Sequence, residues 1–279
     1  MWRALTIDLP SALSFKGVKA REERMEINEN TVAIVTGGAS GLGAATATAL
    51  AAKGVKISIF DMNRSLGETM AETLEGDFYK VDVSDAVAVA AAVKAVEDKH
   101  KGLRILVNCA GIGPPSKTVS RGEPHDPEIF AKVIGVNLIG SFNCASQAAA
   151  AMLRSDPVTQ DGGRGVIINT ASIAAYEGQI GQVAYAASKG GVVGMTLPMA
   201  RDLSVNGVRV CTIAPGLFLT PLLESLPEEV RASLGQQVPF PARLGNPSEY
   251  GNLVCQIIDN DMLNGEVIRL DGAIRMAPR

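Results

Sequence analysis

Val32-Ala33-Ile34-Val35-Thr36-Gly37-Gly38-Ala39-Ser40-Gly41-Leu42-Gly43 is the stretch whose reading decides the rest of the chain. Val32 to Thr36 is an apolar, β-branched run of strand length. An alanine-rich segment of helix length follows and ends near Gly54. Between the two lie four glycines in seven residues, Gly37 and Gly43 at the ends. A strand, a glycine turn and a helix in that order bring free amides of a helix N-terminus to a turn without bulky side chains. Such a place suits a close-approaching anion, and a dinucleotide pyrophosphate above all.

Outward from this unit, further β-branched apolar runs cover residues 55–60, 78–81, 105–108, 166–170, 208–214 and 266–270, which with the first makes seven strands. Helix-length segments separate them. Ser84 is placed to cap the Ala/Val-rich run that stops near Gly102, and Asp126-Pro127 fits an N-cap followed by proline in the first turn of a helix reaching Arg154. Apolar strands alternating with helices predict an α/β fold: one doubly wound parallel sheet of about seven strands, flanked by helices on both faces. Residues 113–124, with paired prolines, and residues 155–165 read as loops that either connect elements or contact substrate.

The second predicted strand runs into Asp61, near the roughly 20-residue interval at which an acid hydrogen-bonds the adenosine ribose. A carboxylate there repels the extra phosphate of NADP, and Ala39 and Ser40 add no positive charge, so NAD is the expected cofactor; Arg64 is the nearest opposing cation. Asp82 and Val83, after the third strand, are placed to meet adenine by the same topology, although Asp82 alone reads equally as a loop acid.

Tyr185-Ala186-Ala187-Ser188-Lys189 sets a phenol and an ammonium four residues apart on one helix face. Oxidation of a secondary alcohol needs a base for the hydroxyl proton as hydride leaves, and a phenol becomes a usable base when a cation lowers its pKa from about 10. Tyr185 is the candidate acid/base, and Lys189 the candidate cation and cofactor-ribose donor. Ser172, just after a strand, is the candidate holder of the substrate oxygen. Asn137 is the candidate organiser of a helix irregularity and a proton-relaying water. Singly, each has an ordinary structural role; together, behind a dinucleotide turn, they point to hydride chemistry.

Composition limits the alternatives. With 279 residues, 47% hydrophobic content and a net charge of −3, the chain can bury one large core and has no field favouring nucleic acid or an anionic membrane. Cys109, Cys144, Cys211 and Cys255 form no CxxC pair, so no metal site is expected. No unbroken apolar stretch approaches the roughly 20 residues of a spanning helix, and no membrane segment is expected. Residues 1–29 read as a leader before a domain over 30–279, with Met25 an alternative start. A cytoplasmic location is expected, with the mitochondrial matrix as the alternative.

TGGASGLG, NCAG at residues 108–111, Asn137, Ser172, YAASK and Pro215-Gly216 occur in the order found in the short-chain dehydrogenase/reductase family, which the chain resembles from about Asn30 to its end. GVIINTAS, KGGVVGMTLPMARDL, IAPGLF, VPFPARLG and NGEVIRLDGAIRM resemble the family's type-2 3-hydroxyacyl-CoA dehydrogenase branch, whose members are also described as hydroxysteroid dehydrogenases. The resemblance implies a single Rossmann-type domain, a homotetramer, and an acyl-CoA or hydroxysteroid substrate. It also implies NAD contacts from Ser40, Leu42, Asp61, Asp82, Val83, Cys109, Phe218 and Thr220, the last two closing over the nicotinamide. Cys109 is expected to contribute backbone, and Leu219 departs from the smaller residue usual there. Gln179 and Gln182 are candidates for the acyl side of the pocket. Two other readings stay open: a 3-oxoacyl reductase or other secondary-alcohol dehydrogenase, and a nonenzymatic NAD-binding regulator.

Overall fold

Strands that are apolar on both faces must be covered on both, and that requirement organises the computed structural model, which describes Met25, residues 27–224 and residues 226–278. Apart from Met25 and residues 27–29, the expected leader lies outside the described residues. Met25 itself is buried in the core, and its amide donates to Asp261 Oδ2 at 3.3 Å.

In chain order the elements are β1 (Val32–Thr36), α1 (Gly41–Ala51), β2 (Lys56–Asp61), α2 (Arg64–Thr73), β3 (Asp77–Lys80), α3 (Ala86–Lys99) and β4 (Leu103–Asn108). A two-residue ribbon follows, β5 (Val119–Ser120) and β6 (Glu123–Pro124), then α4 (Pro127–Ile134), a π-helical turn (Gly135–Ile139) and α5 (Gly140–Leu153). The second half comprises β7 (Gly165–Thr170), α6 (Ala174–Glu177), α7 (Val183–Ser204), β8 (Val208–Pro215), α8 (Pro221–Glu224), α9 (Glu228–Gln236), α10 (Pro247–Ile258) and β9 (Val267–Leu270).

The seven long strands pair in parallel in the order β3-β2-β1-β4-β7-β8-β9. The direction of winding reverses between β1 and β4, which opens a crevice at their carboxyl ends. Side chains alternate: Ala33 and Val35 join one layer with Leu50, Tyr250 and Val254, while Val32 and Ile34 join the other with Val96, Met152 and Ala200. Helices α1, α2 and α10 therefore cover one face, and α3, α5 and α7 the other.

Asp61 ends β2, as expected, and α3 is capped by Asp85, whose carboxylate accepts from Val87 and Ala88. The expected cap, Ser84, instead donates through its amide and hydroxyl to Asp82, so the Asx turn competes for that serine. Asp126 caps α4 with Pro127 behind it. The 27-residue helical run Pro127–Leu153 holds an 18-residue window of mean hydropathy 1.3 and is long and apolar enough to cross a membrane, which a count of unbroken apolar residues does not detect. Here its Cys144, Ala145, Ala148 and Met152 are fully buried in the core beneath the sheet.

Leu106 lies at the centre of β4 with no exposed surface. Leu106→Ala is expected to cost about 2–5 kcal/mol, read as a lower urea midpoint at unchanged slope. A loss below about 1 kcal/mol would contradict this packing.

Candidate active site

The glycine turn is shaped by what a side chain would strike. Gly37 has φ +62°, and a Cβ there would lie 2.8 Å from the Ala110 backbone; one on Gly43 would lie 2.1 Å from the Gly37 carbonyl oxygen. Ser40 is the extended N-cap of α1 but makes no side-chain cap bond, which leaves the first amides of α1 without that partner. Leu42 follows in the first turn, half-buried against the core. The carboxylate of Asp61 sits beside this turn, Oδ2 accepting from Ala39 N at 3.1 Å and Oδ1 from Asn63 N at 2.9 Å. A bare turn, open helix amides and an acid at the neighbouring strand end fit a dinucleotide.

The neighbouring strand ends complete the crevice. Val83 is buried, its carbonyl accepting from Asn143 Nδ2 at 3.0 Å, and Asp82 is engaged by Ser84. Cys109 and Ala110 both donate through their amides to Thr36 Oγ1 at 3.1 Å, and burial pushes the Cys109 thiol up. Thr220 lies against the turn, its methyl 3.7 Å from where a Gly41 Cβ would be. The Phe218 ring, by contrast, turns into the core and packs on Gly245.

Across the crevice, α7 delivers Tyr185 and Lys189. Lys189 is buried, donates from Nζ to the Thr170 carbonyl at 2.6 Å and lies 5.8 Å from the centre of the Tyr185 ring. Burial lowers its pKa to about 8, opposed by Cys109. Burial likewise raises Tyr185, and it is the Ser172 hydroxyl that opposes this. The Lys189 ammonium itself is turned to a backbone carbonyl. Ser172 is buried and accepts from Ala174 N at 3.1 Å.

Asn137 is fully buried at the centre of the π-helical turn. Its Oδ1 accepts from Ile112 N at 2.8 Å, and its Nδ2 donates to Ile112 O at 2.8 Å and to Ser188 Oγ at 3.0 Å. The structure thus joins Asn137 to α7 through Ser188, whose hydroxyl donates on to the Tyr185 carbonyl at 2.7 Å. Ser188 and Thr36 were missed from the sequence because a serine inside a helix and a threonine ending a strand carry no pattern of their own. Gly113 was also missed: a Cβ there would meet the Tyr185 ring at 3.1 Å.

A cavity of about 420 Å³ lies between Lys117–Val119 and the segment carrying Gln179 and Gln182, and reaches Val183 and Ala186 of α7. Both glutamines line it, but Gln182 Oε1 accepts from Gln179 N and Gln179 Nε2 donates to Ala277 O, each at 3.0 Å. These bonds hold the wall of the cavity and tie it to the C-terminal segment. A larger cleft of about 1,110 Å³, lined by Thr31, Lys94, Leu103 and Arg154, lies at the opposite, amino-terminal end of the strands, away from every residue above.

The short chain dehydrogenase family matches residues 31–231. The chain belongs to that family. It is an oxidoreductase, and membership together with the Rossmann-type sheet implies a nicotinamide dinucleotide cofactor. The chain is 55% identical to the Bos taurus 3-hydroxyacyl-CoA dehydrogenase type-2 and 54% identical to the Homo sapiens protein of that name, each over 88% of this chain and 96% of the relative. The crystal structure of 3-hydroxyacyl-CoA dehydrogenase type-2 from Mycobacterium avium superposes with a TM-score of 0.86 at 43% identity, covering 90% of this chain and 98% of that one.

Two outcomes follow from the geometry. Gly43→Ala forces strain of about 1–3 kcal/mol into the turn, so dinucleotide affinity, measured by calorimetry, should fall about tenfold or more; unchanged affinity would refute the cradle. Lys189, with a folded pKa of about 8 against roughly 10.4 unfolded, binds fewer protons folded than unfolded between those values. Its contribution to stability should therefore rise with pH from about 8 to about 10 relative to Lys189→Met. A flat difference in denaturation midpoints would show that the ammonium is not buried.

Proposed function

We propose that the protein catalyses the reversible, NAD-dependent oxidation of a 3-hydroxyacyl-CoA to the 3-oxoacyl-CoA, with hydroxysteroids as a second substrate class. The observation that carries the chemistry is the meeting of Tyr185, Ser172 and buried Lys189 at the strand ends, directly across from the glycine turn. The names of relatives more than half identical over nearly their whole length support the acyl-CoA substrate.

Gly37, Ser40, Leu42, Gly43, Asp61, Asp82, Val83, Cys109 and Thr220 would hold the cofactor, with the backbone of Phe218. Bound NAD supplies the hydride acceptor. Ser172 holds the substrate hydroxyl, and Tyr185 removes its proton as the carbinol C–H bond is lost as hydride; in the reverse direction Tyr185 returns that proton. Lys189 contributes positive charge behind the phenol and a donor to the cofactor ribose. Asn137 holds the π-helical turn against α7 and so fixes the distance between Ile112 and the helix bearing Tyr185. Oxidation needs the phenolate and reduction the phenol, so oxidation gains with rising pH and reduction with falling pH. Asp61 selects NAD because a carboxylate facing a 2′-phosphate places two like charges together.

Tyr185→Phe should lower turnover of NAD and a short-chain 3-hydroxyacyl-CoA by about 10² to 10⁴-fold while cofactor binding persists. A loss below tenfold would remove Tyr185 from the role, and a wild-type preference for NADPH with acyl-carrier-protein substrates would replace this reading by a reductase. Asp61→Ser should narrow the preference for NAD over NADP; an unchanged ratio would mean that Asp61 does not face the ribose.

A further inference from the structure

Below Lys189, on the α10 side of the sheet, lies a polar cluster that the reaction outlined above does not use. Tyr250 of α10 is fully buried among apolar side chains, and its hydroxyl is 2.7 Å from Thr170 Oγ1. Thr170 Oγ1 donates to Cys109 Sγ at 3.6 Å, and Cys109 Sγ donates to the Tyr250 oxygen at 3.9 Å. With those two directions assigned, the Tyr250 proton goes to Thr170, and the three groups form a closed ring in which each gives one hydrogen bond and takes one. Such a ring leaves no donor unpaired in a region where an unpaired one would be costly.

The ring joins three elements: the residue that follows β4, the last residue of β7, and α10. Thr170 is the shared member. Its side chain enters the ring on the α1 and α10 face, continuing the alternation of Val166 and Ile168. Its carbonyl accepts from Lys189, which arrives from α7 on the other face. Cys109 is fixed independently at its backbone by Thr36.

We infer that Tyr250 is a positioning residue: through the hydroxyl–thiol ring it shares with Thr170 and Cys109, it braces the strand-end carbonyl that holds Lys189. The inference rests on the reading of Lys189 as part of the catalytic site. It adds to that reading a residue 61 positions downstream of the lysine, on the opposite face of the sheet. It also assigns the Cys109 side chain a task, to close the ring, where the backbone alone had been expected to matter.

The test compares Tyr250→Phe, Thr170→Val and the double variant, with Tyr185→Phe as the control for the reaction. Each single change should reduce kcat by about three- to tenfold, the worth of one buried hydrogen bond, with KM for NAD changed less than about twofold. Because both break one ring, the double variant should be no more than about twofold below the weaker single variant. Independently of turnover, the infrared S–H stretch of Cys109, identified as the band lost in Cys109→Ala, should move to higher frequency in Tyr250→Phe, which removes its acceptor, and by a smaller step in Thr170→Val, which removes the bond that polarises it. The Thr170→Val spectrum carries this arm if Tyr250→Phe does not fold. An unchanged kcat with a shifted S–H band would overturn the inference by making the ring merely structural. Effects that multiply in the double variant, or an unmoved band, would overturn the ring itself. Full turnover in Tyr185→Phe would instead overturn the catalytic reading on which the brace depends, whatever the infrared band does.

Discussion

A lysine ammonium buried at the carboxyl end of a central strand is costly, and the sheet provides what offsets that cost. The Thr170 carbonyl, which marks the end of β7, accepts from Lys189, and burial still lowers the amine to a pKa of about 8. Lys189 can occupy this place only because α7 crosses the sheet beside β8 and because Asn137 and Ser188 hold α7 against the loop after β4. The π-helical turn around Asn137 is the local irregularity that makes this join possible, since a regular helix would not turn the asparagine to meet both polar groups of Ile112.

The parallel sheet then brings a second cluster to the same edge. The reversal of winding between β1 and β4 leaves a crevice at the strand ends, with the glycine turn and Asp61 on one side and Tyr185, Ser172 and Lys189 on the other. Neither cluster specifies the reaction alone. A dinucleotide turn without an acid/base is a binding site, and a buried tyrosine with a lysine is an ordinary piece of core. Their common edge, set by strand order, places the dinucleotide turn and the candidate acid/base where the proposed hydride and proton transfers would meet.

Much of this was legible in the sequence because periodicity and punctuation are local. Every main-sheet strand was readable from β-branched runs, and the order behind the glycine turn singled out Tyr185, Lys189, Ser172 and Asn137 as candidates. What was not legible depends on contacts between distant segments. The Phe218 ring is drawn into the core by the space above Gly245, and Ser84 is lost as a cap to Asp82. The amides of Gln179 and Gln182 are engaged in a turn and in the C-terminal segment, and the Tyr250 hydroxyl meets a threonine 80 positions away. The upward shift that burial gives the Tyr185 pKa belongs to the same class, because the residues that bury it come from distant segments.

Under the proposed function, this edge of the sheet moves hydride from the carbinol carbon of an acyl-CoA to NAD. Incubation of the protein with NAD and a 3-hydroxyacyl-CoA carrying deuterium at the carbinol carbon, followed by mass spectrometry of the recovered cofactor, tests it most directly. The expected products are reduced cofactor carrying one deuterium and the 3-oxoacyl-CoA lacking it. Recovery of unreduced NAD and intact substrate, from protein shown to bind NAD, would contradict it.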